Sequence, residues 1–183
     1  MNAGTGRLAP IPVTVDNASD WGELSAQLSA AEGMPTGLNL ETLCRFVGSA
    51  VPLQFAAEVS GSTDVLRGMF SDQMVVQAQR NIGRLQAAQP VSAAVRLVGA
   101  PIRDGRPELR IHVNVAAVAP DGNRLAFGEF WDLISNTHAT VSAGRCPSCG
   151  APLETGQLIC EHCHADARTV QSVPLLVTRM ELY

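Results

Sequence analysis

The sequence predicts an α+β domain: N-terminal helices packed on one face of an antiparallel sheet, with a small zinc ribbon inserted before the last strand. Three observations carry that expectation. Apolar residues recur at helical spacing up to Gln89-Pro90 and alternate with polar ones beyond it. Helices first and an antiparallel meander afterwards is an α+β order. Two C-x-x-C pairs, Cys146/Cys149 and Cys160/Cys163, then interrupt the strand pattern. At 183 residues, 46% hydrophobic and 16% charged, the chain has room for one ordinary domain with an appendage and for a real core.

Residues 1–37 read as an N-terminal arm with one short helix. Asp20-Trp21-Gly22-Glu23 supplies an acidic cap with a glutamate three positions on, Leu24 and Leu28 follow, and Gly33, Pro35 and Gly37 break the pattern. The arm is expected to pack loosely. Residues 38–183 form the main domain. Its first helix carries Leu43, Cys44, Val47, Ala50 and Val51 on one stripe, and Pro52 is expected to kink or restart it. Cys44 on that stripe reads as an inert core thiol. A short helix over Asp64–Phe70 follows. Ser71 then caps another, with Met74, Ala78, Ile82 and Leu85 on its buried face.

Strands are expected over Val91–Gly99, Leu109–Ala119, Leu125–Ile134 and Val173–Leu182. Ile111, Val113, Val115 and Ala117 alternate with polar or small residues, and Pro120-Asp121-Gly122-Asn123 is a hairpin turn. On the next strand Leu125, Phe127, Glu129, Trp131 and Leu133 share one face, and Ala126, Gly128, Phe130 and Asp132 the other. Gly128 points to a bulge or bend.

The ribbon spans residues 144–168 within the main domain. Each C-x-x-C lets a tight turn present two thiolates to one ion, and zinc takes four tetrahedral ligands. Cys146, Cys149, Cys160 and Cys163 complete that shell, leaving no open position for water or substrate, so the one zinc ion reads as structural. Gly150 follows the first pair, where a knuckle needs positive φ, and His164 holds the matching place after the second. Two disulfides would need an oxidising compartment, and a redox dithiol usually stands alone. His162 and His164 are therefore solvent-facing or hydrogen-bond to the ligands.

Charge excludes several partners. Thirteen arginines against 17 acidic residues give −4, which speaks against a basic nucleic-acid binder or a polybasic membrane anchor. Within the ribbon, Arg145 and Arg168 face Glu154, Glu161 and Asp166, and no aromatic residue is present for base stacking. No apolar run reaches the ~20 residues that span a bilayer. The opening MNAGTGRLAPIPV lacks the charged-then-apolar order of a secretory signal, so a cytoplasmic location is expected.

At Phe130-Trp131-Asp132-Leu133, followed by Cys146-Pro147-Ser148-Cys149-Gly150-Ala151-Pro152, the chain resembles the Tim-forty-four-like domain family, in its bacterial form with an inserted ribbon. Glu129-Phe130-Trp131 is similar to the family's Glu-aromatic-Trp strand, and Cys160 to Cys163 closes the ribbon. The resemblance implies a nuclear-transport-factor-two-like fold, a cone-like curved antiparallel sheet wrapped by helices around a pocket. It also implies a non-enzymatic domain that associates with membranes and engages polypeptide through an apolar pocket.

Three functions compete at this point. The first is a binding or adaptor protein for a peptide or a small apolar ligand. Phe55, Met69, Phe70, Met74, Phe127, Phe130 and Trp131 supply its pocket; Phe70, Met74, Phe130 and Trp131 are the principal ligand-binding candidates. The second is a cone-fold isomerase or dehydratase using His112 or Asp132 as general base. The third is an assembly subunit that self-associates through the open sheet face.

Overall fold

A computed structural model describes residues 9–29, 38–63, 66, 69–80, 82–85, 87–135, 151, 160, 162–164 and 175–182. The described chain is mixed α+β. Its helices are α1 (Trp21–Ser29), α2 (Leu40–Ser60) and α3 (Asp72–Arg80). The strands are β1 (Val13–Val15), β2 (Gln89–Gly99), β3 (Ile102–Arg103), β4 (Arg106–Pro107), β5 (Leu109–Val118), β6 (Arg124–Ser135) and β7 (Leu175–Leu182). Five of these strands form one sheet in the order β1-β2-β5-β6-β7, and β3 and β4 form a separate hairpin.

The sheet is mixed, not purely antiparallel, because β1 joins β2 in parallel, Val13 opposite Ala93 and Val15 opposite Val95. The described part of the N-terminal arm is thereby fixed to the sheet at Val13–Val15, where loose packing is expected. Asn17 extends the pairing with its side chain: Oδ1 accepts from Leu97 N–H at 2.8 Å and Nδ2 donates to Leu97 O at 2.9 Å. One amide side chain thus stands in for a strand residue. Helix α1 follows, and Leu24 and Leu28 enter the core as their spacing predicts.

Helix α2 runs unbroken through Pro52. Asn39 begins it, its side chain accepting from Thr42 N–H at 2.8 Å, and Gly61 ends it in the left-handed conformation at φ 67°. A proline in a helix cannot donate to the carbonyl four residues back, here that of Gly48. Ile11 N–H donates to Gly48 O at 3.0 Å instead. Gly48 permits this approach, since a Cβ there would lie 2.7 Å from Ile11 O. The helix does not restart at Pro52, and the N-terminal segment supplies the donor that Pro52 lacks, a tertiary partner that local periodicity does not display.

Helix α3 starts where Ser71 Oγ accepts from Met74 N–H at 3.3 Å. It ends at Arg80, so the expected buried stripe stops early: Met74 and Leu85 are buried, but Ile82 lies in a turn and is 43% exposed. Of the short helix expected over Asp64–Phe70, residues 64, 65, 67 and 68 lie outside the described residues; Phe70 forms a parallel bridge to Val177. That bridge covers the free edge of β7, with Ser71 N–H donating to Val177 O and Val177 N–H to Met69 O, each at 2.9 Å.

Strands β5 and β6 pair without interruption from Leu109↔Leu133 to Val118↔Arg124, with Gly128 in register opposite Asn114. The bulge expected at Gly128 falls elsewhere, between Asp132 and Leu133 against β7. The turn at Pro120–Asn123 forms as expected; Asp121 Oδ1 accepts from Asn123 N–H and Gly122 takes φ 86°. Val95, Ile111, Val113, Trp131, Leu133 and Val177 face the helices and are buried with Leu43, Phe46, Val47, Val51 and Met74. The other sheet face carries Arg96, Arg110, His112, Asn114, Phe130, Asp132, Arg179 and Glu181. No described helix is long and apolar enough to cross a membrane.

Candidate functional site

Strand β6 buries two carboxylates three positions apart. Glu129 takes an inward position between Phe127 and Trp131 and meets the helices. Its carboxylate accepts from Trp131 Nε1 at 2.8 Å, and from Gln54 Nε2 at 3.0 Å to one oxygen and 3.1 Å to the other. Arg84 Nη2 pairs with Oε1. A buried carboxylate is tolerable only when paired and hydrogen-bonded, and this one is both. Gln54 is delivered by α2 one turn before Glu58, whose own carboxylate accepts from the Leu85 amide. Glu58 and Glu129 therefore pin neighbouring residues of the turn that follows α3.

A recess opens beside this cluster. Ala57, Ala78, Ile82 and Met180 form its apolar wall and Gln54, Glu58 and Arg84 its polar one. Its volume of about 20 Å³ is room for one water.

The second carboxylate, Asp132, lies on the opposite sheet face. Arg103 Nη2 stands 3.3 Å and Arg110 Nη1 3.6 Å from its Oδ2, and neither Asp132 oxygen has a hydrogen bond. Arg103 comes from the β3–β4 hairpin, where Asp104 and Gly105 take φ 49° and 75°, and it also approaches Glu108 at 3.2 Å. Burial and the Asp132 charge push the Glu108 carboxyl above its ordinary range. Arg110 pairs with Glu181 and holds that carboxyl below its ordinary range. Its guanidinium sits 5.2 Å from the centre of the Phe130 ring, and the His112 ring lies 4.7 Å from the same ring.

Of the residues expected to share one apolar pocket, Phe55, Met69, Phe70, Met74 and Trp131 lie together in the core with Phe127 packed against it, and Phe130 lies apart from them. Trp131, Phe70 and Met74 are core residues, with the Phe70 and Trp131 rings 5.9 Å apart edge to face. Phe130, adjacent to Trp131 on a strand, points to the other side of the sheet beside His112. None of the four lines the recess, whose walls are mixed in polarity. His112 and Asp132 do share the face away from the helices, two residue pairs apart in the β5–β6 register.

No family model, curated protein or solved structure matches the chain.

Of the four cysteines expected to hold zinc, Cys146 and Cys149 lie outside the described residues. Cys160 is buried and Cys163 half-buried. His164 N–H donates to Cys160 O at 2.7 Å, and His164 takes φ 58°. Cys44 on α2 is half-buried, and burial raises its thiol pKa, which suits an unreactive cysteine.

Sequence reasoning did not single out Gln54, Arg84 or the recess. A signal for Glu129 was present, as the one charged residue in the inward series Leu125, Phe127, Glu129, Trp131, Leu133. A charge on an apolar face announces a buried partner.

Proposed function

We propose that the chain is a non-enzymatic binding or adaptor module of the Tim-forty-four-like, cone-fold kind, which engages a polypeptide segment, and that Cys146, Cys149, Cys160 and Cys163 hold one structural zinc ion. The observation that carries binding over catalysis is the state of Glu129. A general base must keep a lone pair within reach of substrate. Glu129 instead meets Gln54, Trp131 and Arg84 at once, a pattern that fixes a charge and does not relay a proton. Asp132, one of the two catalytic candidates with His112, lies buried between two guanidinium groups.

The knuckle-like turn at Cys160–His164 supports the metal. Four thiolates would close the shell, and the ion would supply the small ribbon with the core its side chains lack. Elemental analysis of the purified chain is expected to find one zinc per chain. Cys149→Ser should lose it while the far-ultraviolet circular dichroism of the α+β body persists; zinc retained at full stoichiometry would contradict the ligand set. Selection from a random-peptide library against the zinc-loaded chain tests the binding role. One enriched sequence class is expected, and a selection that yields no consensus removes the polypeptide reading.

A further inference from the structure

We propose that Glu129, backed by Gln54 and Trp131, is a built receptor for a guanidinium group, that Arg84 fills it as an internal ligand, and that an arginine side chain of a polypeptide partner binds there by displacing Arg84. The proposal rests on the binding-module reading above and names the chemistry of the partner.

The receptor is independent of its present occupant. Trp131 on β6 and Gln54 on α2 hydrogen-bond the carboxylate, and neither is carried by the turn that holds Arg84. Arg84 itself is offered by a turn, not by a helix or strand, between α3 and β2. Ile82 in that turn is solvent-exposed and Gly83 takes φ 98°. The Arg84 side chain is 25% exposed where that of Glu129 is 4%, so the pair is reached from solvent on the arginine side.

The recess is too small for a ligand while Arg84 is seated, and withdrawing Arg84 would join its volume to the space over Glu129. Glu58 lines the recess beside Ala57, Ala78 and Met180, and Glu129 stands behind the Arg84 that forms part of its wall. That lining accepts a cation on an apolar stem. A planar guanidinium matches a carboxylate better than the point charge of an ammonium, so arginine is favoured over lysine.

An internal ligand acts at an effective concentration in the millimolar range, and a competitor's apparent affinity falls by the fraction of sites left open. The intact chain should therefore bind arginine weakly, and Arg84→Ala at least ~10-fold more tightly.

The experiment uses the full zinc-loaded chain and three probes: N-acetyl-arginine amide, a pentapeptide with central arginine, and the same pentapeptide with lysine. Thermal unfolding and the indole resonance of Trp131, told apart from Trp21 by Trp21→Phe, are the readouts. Arg84→Ala should melt below the intact chain, regain stability in about 10 mM amide, and shift the Trp131 indole N–H. Arg84→Ala/Glu129→Gln should do neither. A folded Arg84→Ala that responds in neither readout overturns the proposal, as does an equal response in the double variant. If Arg84→Ala does not fold, titration of the intact chain decides: a saturating shift of the Trp131 indole supports exchange, and a resonance unmoved by about 100 mM amide overturns it. A lysine peptide that binds as well as the arginine peptide overturns the guanidinium preference. An amide that binds as tightly as the arginine pentapeptide overturns the polypeptide partner and leaves a free guanidinium compound as the ligand.

Discussion

Glu129 and Asp132 stand three residues apart on one strand and are both buried, yet the chain treats them differently. Glu129 faces the core, where donors from α2, β6 and the turn after α3 converge on it. Asp132 faces away from the helices and is buried by two arginines that approach one oxygen without a hydrogen bond. Each of those arginines has a second acidic neighbour, Glu108 for Arg103 and Glu181 for Arg110. Burial alone therefore does not measure how much a charge matters. What counts is whether its partners have anywhere else to go.

That contrast can be broken experimentally, most forcefully at Glu129. Glu129→Ala strands Arg84 and removes the acceptor for Trp131 and Gln54, and should cost about 3–5 kcal/mol in urea denaturation. Gln54→Leu keeps most of the volume but removes the donor to a charged acceptor, and a loss of about 1.5–3 kcal/mol is expected. Asp132→Ala should cost less than either, since Arg103 and Arg110 keep Glu108 and Glu181. A cost for Asp132→Ala equal to that of Glu129→Ala would abolish the distinction.

The smallest effect is electrostatic. Asp132→Asn removes a negative charge that raises the Glu108 carboxyl, so the Glu108 pKa should fall in a carbon-13 titration. The signs for stability are opposite on the two flanks of this cluster. Glu108 binds its proton more tightly in the folded chain, so its contribution is complete below the ordinary 4.5 and fades as pH rises through the raised value. Glu181, held low by Arg110, contributes above the ordinary 4.5 and loses that contribution as pH falls through its lowered value.

Much of the fold is written in local pattern. The alternation of β5, the Pro120–Asn123 turn and the Leu24/Leu28 spacing each specify their element without outside help. The β3–β4 hairpin also had its signal, Asp104-Gly105 between short extended pairs, although it was not read. Strand β1 had none, being three residues long and preceded by Pro10 and Pro12. At the candidate site, Glu129 was readable as a charge on an inward face, whereas Gln54 and Arg84 were not. Their roles exist only after α2 and the turn beyond α3 have docked on the sheet. The expected grouping of Phe130 with Trp131 failed for a local reason, because adjacent strand residues diverge.

The bond from Ile11 to Gly48 has a consequence for how the molecule assembles. Position 48 carries an acceptor that α2 cannot saturate on its own, and the donor lies 37 residues upstream, beside the strand that closes the sheet edge. The longest helix and the shortest strand of the five-stranded sheet are thus obliged to mature together, as one cooperative unit. Hydrogen exchange at the Ile11 amide should accordingly track the opening of the middle of α2, and Gly48→Ala, by crowding the incoming backbone, should speed exchange at both ends of that contact.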